Sequence, residues 1–79
     1  MATDGSALDD GWYDALVVDA EAIEGGWCRV ELTILGGARK GEVVAVRTDG
    51  VAEDDVLDLL GIPATLVVAH GVPRVTFEP

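Results

Sequence analysis

A chain of 79 residues has room for one domain with a small core, and its hydrophobic content of 49% excludes a disordered protein. The net charge of −10 keeps most of the surface from attracting nucleic acid or anionic lipid. The chain has one cysteine and one histidine, which excludes an intramolecular disulfide and a cysteine- or histidine-rich metal cluster. We therefore expect no metal and no other cofactor.

Residues 1–11 have no hydrophobic periodicity and are rich in Asp, Ser and Gly. This composition predicts a flexible acidic arm that precedes a single domain spanning residues 12–79. The first residues lack the basic start and apolar run of a signal peptide, and no apolar stretch is long enough to cross a membrane. Because small domains without disulfides are typical of reducing compartments, we expect a cytoplasmic protein that does not contact membranes.

The first β-strand is predicted to begin near Trp12 and to bend. Its alternation of apolar and polar residues changes phase, which indicates a β-bulge near residues 16–18. A strand bent in this way can pair with neighbours on both sides of a barrel. Gly25 and Gly26 then supply the positive φ angles of a hairpin turn.

The second and third strands, residues 27–35 and 42–48, are joined by a link with glycines at both ends, residues 36–41. Their alternation predicts which side chains face the core and which face outward. The predicted inward set is Cys28, Val30, Leu32, Ile34, Val44 and Val46. The predicted outward set is Trp27, Arg29, Glu31, Thr33, Val43, Ala45 and Arg47. Cys28 is thus expected to be a buried, unreactive thiol.

A short helix is predicted over residues 51–60, where the spacing of apolar residues is helical and acids fill the first turn. Gly61 and Pro63 end it. The fourth strand, residues 64–69, is a continuous apolar run, which predicts burial on both sides. His70 and Gly71 form a two-residue turn. In the last strand, residues 72–78, Pro73 predicts an edge position.

The predicted order is three strands, a helix and two strands, with a bent first strand. This mainly β pattern resembles the OB-fold, a small five-stranded barrel with one helix between its third and fourth strands. The resemblance covers nearly the whole chain, but it is one of topology and includes no sequence motif. Small SH3-like barrels, in which the helix is usually a single turn, are the alternative.

The resemblance implies a ligand-binding face on the second and third strands, flanked by the loops at residues 25–26 and 70–71. Four of the five basic residues lie in the hairpin of residues 27–48. The candidate binding face, including the basic turn, is Trp27, Arg29, Arg39, Lys40, Val43 and Arg47. A tryptophan beside arginines can stack on a nucleobase and contact a phosphate. In the alternative interpretation, Trp27 covers the barrel mouth and Arg29 pairs with an acid on the neighbouring strand.

The sequence contains no Ser-His, Cys-His or paired-carboxylate arrangement typical of a catalytic site, so we expect no enzyme. One hypothesis is a small acidic module that docks on a protein partner, as an accessory subunit of nucleic-acid-processing machinery, a DNA mimic or a homo-oligomer. The competing hypothesis is single-stranded nucleic-acid binding through the face on strands two and three. A third, small-ligand binding, has no pocket signature. We favour the protein partner, because fifteen acids oppose five basic residues.

Overall fold

The computed structural model describes residues 8–78, which form five antiparallel β-strands and a 3₁₀ helix of seven residues. The strands are β1 (Gly11–Ile23), β2 (Trp27–Ile34), β3 (Val43–Thr48), β4 (Pro63–Ala69) and β5 (Val72–Phe77). The 3₁₀ helix, Glu53–Leu59, lies between β3 and β4. The predicted mainly β class and the predicted order of elements are confirmed.

The long strand β1 lies at the centre of the sheet, whose order is β3-β2-β1-β4-β5. The first half of β1 pairs with β4, and its second half continues along β2. The register with β2 shifts between Val17 and Asp19, so the predicted bulge is confirmed. An extra residue at this point bends the strand and increases its twist, which curves the whole sheet.

The curved sheet is not closed by hydrogen bonds, and β3 and β5 are its two edges. The curvature nevertheless brings these edges together, with Cα atoms of β3 and β5 within 8 Å of each other. The edge position of β5 agrees with the prediction from Pro73, which has no N–H group to donate. The sheet therefore has an open seam between β3 and β5.

The core lies on the concave side of the sheet and follows the predicted alternation. Val30, Leu32 and Leu66 are completely buried. The full set of buried core side chains is Leu8, Ala15, Val17, Ala20, Cys28, Val30, Leu32, Ile34, Val44, Val46, Val56, Leu59, Ala64, Leu66 and Val68. All six residues of β2 and β3 that were predicted to face inward belong to this set.

The 3₁₀ helix closes one end of the sheet. Three residues make one turn of such a helix, so Val56 and Leu59 lie on the same side and are both buried. The segment that follows is hydrogen-bonded to β1 next to the bulge: Gly61 N–H donates to the Val17 carbonyl (2.9 Å), and Val17 N–H donates to the Ile62 carbonyl (3.0 Å). Within residues 8–78, no helix has the length and apolar character needed to span a membrane.

The prediction that β4 is buried on both sides is wrong. Ala64, Leu66 and Val68 are buried, whereas Thr65 and Val67 on the other side are only partly covered. An apolar run can reflect β propensity as well as burial, and the outer side of this sheet has no second layer over it. β4 therefore has one buried face, like β2.

The predicted arm, residues 1–11, lies partly outside the described residues. Of the part that is described, Leu8 is buried in the core, with 4% of its surface exposed. Asp10 accepts hydrogen bonds from the backbone N–H groups of the β4–β5 turn, at 2.9 Å from His70 and 3.1 Å from Gly71. Both turn residues have positive φ. The packed part of the chain thus extends beyond the predicted boundary at Trp12.

Candidate docking groove

A groove runs along the open seam between β3 and β5. It consists of two adjoining depressions of about 490 and 470 Å³, which share Trp27, Arg47, Val72 and Pro73. We call their combined lining the seam groove. Its residues are Trp27, Arg29, Ala45, Val46, Arg47, Thr48, Asp49, Val72, Pro73, Arg74 and Val75.

Two tight turns determine where the apolar residues of the groove lie. Trp27 begins β2 directly after Gly25 and Gly26, which both have positive φ. Val72 begins β5 directly after the His70–Gly71 turn, whose backbone N–H groups donate hydrogen bonds to Asp10, the residue before β1. The two loops that the OB-fold resemblance predicts to flank a ligand therefore lie next to the two walls of this groove.

The apolar walls of the groove are accessible to solvent. Trp27 is 45% exposed and Val72 is 55% exposed. A Cβ atom at Gly25 would lie 3.4 Å from Cδ1 of the Trp27 indole, so the ring rests against the turn that precedes it. The register places Ala45 on the outer side of β3, as predicted, yet only 8% of its surface is exposed. The groove therefore has a tryptophan wall, a valine–proline wall and an aliphatic floor.

Arg29 is already paired with acids of the protein. Its Nη1 lies 2.9 Å from a carboxylate oxygen of Glu31 and 4.0 Å from one of Glu21, which is its partner across β1 and β2. Arg47 lies directly opposite Arg29 on β3. Like charges at such positions repel each other, and the two carboxylates offset that repulsion. The pairing agrees with the alternative interpretation of Arg29.

Two other arginines of the groove are not paired in this way. The ion pairs found among residues 8–78 involve Arg29 and Arg39, and none involves Arg47 or Arg74. Arg47 and Arg74 line the same half of the groove, from opposite sides of the seam. Asp49 is the acid that lines this half. Their guanidinium groups therefore have donors available for a ligand.

The predicted binding residues do not all lie together. Trp27, Arg29 and Arg47 line the seam groove. Arg39, Lys40 and Val43 lie toward the opposite end of the β2–β3 hairpin, where Val43 pairs with Thr33. Arg39 donates a hydrogen bond to Glu42 (3.2 Å), and this bond raises its pKa. Arg39 borders a separate depression of about 400 Å³, which is lined on its other side by Trp12, Tyr13 and Asp14.

Comparison with protein-family models, with curated proteins and with solved structures finds no match. The groove must be interpreted from its own geometry and charge.

Arg74 lines the groove but was not among the predicted binding residues, which were taken from the second and third strands and the turn between them. Two features could have identified Arg74 from the sequence. The alternation of β5 places Arg74 on its outward-facing side, and the OB-like order of strands implies that β5 lies beside β3. The 78% exposed Trp12 was likewise given no role. Residues of two strands distant in the chain can be assigned to one site only when the seam between them is recognised.

The remaining reactive side chain, Cys28, does not contribute to the groove. It points into the core with 1% of its surface exposed, as predicted. Burial raises the pKa of its thiol, which favours the protonated, unreactive form. Among residues 8–78, no group of three or more His, Cys, Asp or Glu side chains is arranged to hold a metal ion.

Proposed function

We propose that this chain is a non-catalytic interaction module, an OB-like barrel that docks on a protein partner through the seam groove. The OB-like assignment is supported by the bulged first strand, by the position of β5 beside β3 and by the helix between β3 and β4. An accessory subunit of nucleic-acid-processing machinery and a DNA mimic are specific forms of this proposal. In both, the acidic surface outside the groove attracts a basic partner.

The observation that carries the proposal is the pair of half-exposed apolar side chains, Trp27 and Val72, on the two walls of one groove. A domain of this size has little apolar surface to spare, so leaving both side chains accessible has a cost in stability. Tryptophan and arginine are enriched at the centres of protein interfaces, where they contribute much of the binding energy. Trp27 lies beside arginines in this groove.

Single-stranded nucleic acid is the second candidate. It is favoured by the convergence of Trp27, Arg47 and Arg74 on the same depression. Two properties argue against it. Binders of single strands normally stack bases on more than one aromatic ring, and Trp27 is the aromatic residue of this groove. The net charge of −10 on the protein also repels every phosphate of a nucleic acid that lies near the acidic surface.

An affinity purification with matched variants tests the proposal. The bait is the full chain, in wild-type form, as Val72→Asp and as Val43→Asp, and the extract comes from the organism that encodes it. Both valines are on the outer side of edge strands and are similarly exposed, at 55% and 49%. We expect wild type and Val43→Asp to retain the same partner protein after nuclease treatment, and Val72→Asp to lose it. Quantitative mass spectrometry measures how much of the partner each variant recovers relative to wild type.

Two results would contradict the proposal. Equal recovery by all three baits would show that the partner binds elsewhere on the surface. Loss of recovery after nuclease treatment would indicate that nucleic acid is the ligand, and the second candidate would replace the first.

A further inference from the structure

We infer that the ligand of the seam groove is an extended acidic peptide segment, in which an apolar side chain is followed closely by a carboxylate. The apolar side chain would pack between Trp27 and Val72, and the carboxylate would bind Arg47 and Arg74. This inference rests on the proposed function and specifies the chemistry of the one segment of the partner that enters the groove, while the acidic surface outside the groove contacts other, basic parts of the partner.

The charge distribution carries the inference. Three of the five basic residues, Arg29, Arg47 and Arg74, line the seam groove of a chain whose net charge is −10. Arg29 is neutralised by Glu31 and Glu21. Among residues 8–78, no ion pair involves Arg47 or Arg74, which lie on the two sides of the seam, and Asp49 lines the same half of the groove without pairing with either. A carboxylate between them can accept charge-assisted hydrogen bonds from both, which are stronger than neutral ones.

The total charge of the ligand decides between a peptide and a nucleic acid. A peptide segment that brings one or two carboxylates to the arginines carries few other negative charges. A single-stranded nucleic acid carries one phosphate per nucleotide, and the phosphates beyond the groove would meet the acidic surface of the protein. The repulsion grows with every such charge, so the peptide gains the attraction of the arginines at a lower electrostatic cost.

The spacing of the edge strands favours a position of the peptide on the outer side of the seam. A strand inserted between β3 and β5 would hold them about 10 Å apart, twice the usual distance between neighbouring strands. Cα atoms of the two strands approach to within 8 Å. The peptide therefore lies over the outer side of the seam, where Trp27 and Val72 are exposed, and does not complete the sheet.

The test uses three pools of fluorescein-labelled octapeptides that share the same apolar positions. The pools differ at two of the remaining positions. Both of these positions are Glu in the first pool, Gln in the second and Lys in the third. We expect the wild-type chain to bind the Glu pool most tightly in fluorescence polarisation, with an affinity that falls as salt is added. Arg47→Gln and Arg74→Gln should each weaken binding of the Glu pool about three- to tenfold and leave the Gln pool nearly unchanged.

The matched control is Arg39→Gln, which removes one positive charge from the far end of the hairpin. Its affinity for the Glu pool should equal that of wild type. Equal affinity of wild type for the Glu and Gln pools would overturn the inference. So would equal losses in all three variants, or tighter binding of an eight-nucleotide thymidine oligomer than of the Glu pool.

The two proposals fail in different ways. If the Val72→Asp bait loses its protein partner while the Glu pool shows no preference, the groove docks a partner of other chemistry and only this inference is refuted. If recovery of the partner is the same for all baits, the proposed function itself is refuted.

Discussion

Replacing Val30 by aspartate is expected to leave the chain largely unfolded at room temperature. Val30 lies in the middle of β2, next to the central strand, and has no exposed surface. A carboxyl group at this position would be surrounded by apolar side chains, and burying it without a hydrogen-bond partner costs several kcal/mol even in its protonated, neutral form. A small domain has a total stability of about 5–15 kcal/mol and, at 79 residues, belongs near the lower end.

The control for this experiment is Val43→Asp, which adds the same negative charge to the neighbouring strand but on the outer side. Val43 is 49% exposed, so its replacement should change the free energy of unfolding by about 1 kcal/mol or less. Circular dichroism and urea denaturation measure both variants. Similar stability of the two would show that the alternation assigned to β2 and β3 is incorrect.

Replacing Asp10 by alanine is expected to destabilise the domain by about 1–3 kcal/mol, because two hydrogen bonds to a carboxylate are lost together. Asp10 joins the start of β1 to the β4–β5 turn, two segments separated by 60 residues. His70 in that turn has a φ angle of +54°, which is unfavourable for a residue with a side chain. Without the carboxylate, the turn loses the contacts that hold it in this conformation.

Asp9→Ala is the matched control for the Asp10 variant. It removes the same charge one residue earlier, while the hydrogen bond from Tyr13 goes to the backbone carbonyl of Asp9 and is preserved. In thermal unfolding, the melting temperature of Asp10→Ala should be several degrees lower than that of Asp9→Ala. A loss of about 1 kcal/mol in the free energy of unfolding lowers the melting temperature of a domain of this size by about 4–8 °C. Faster amide exchange at His70 and Gly71 should accompany the shift. Equal melting temperatures would show that the carboxylate does not hold the turn.

The sequence was sufficient to predict the elements because their signals are local. Strict alternation in residues 27–35 determined which side chains of β2 are buried, and a change of phase located the bulge of β1. Paired glycines at 25–26 predicted the first hairpin turn. Each of these signals depends on neighbours within a few residues, where a regular backbone leaves few alternatives.

The groove could be predicted only in part, because it is made by strands that are distant in the chain. Trp27, Arg29 and Arg47 line one depression, and their proximity could be predicted because one hairpin aligns them. Arg74 joins them only because the curved sheet brings β5 beside β3. Leu8 was likewise assigned to the arm, since a single buried side chain produces no periodicity.

The most direct test of the groove as a docking surface is photo-crosslinking from within it. A photoactivatable benzoylphenylalanine is introduced at position 72 in one sample and at position 43 in another, and each is irradiated in cells that encode the protein. If the groove is the docking surface, we expect one protein adduct from position 72 that resists nuclease, and a much weaker adduct from position 43. An adduct formed equally from both positions, or an adduct from position 72 that nuclease digests, would contradict docking of a protein in the groove.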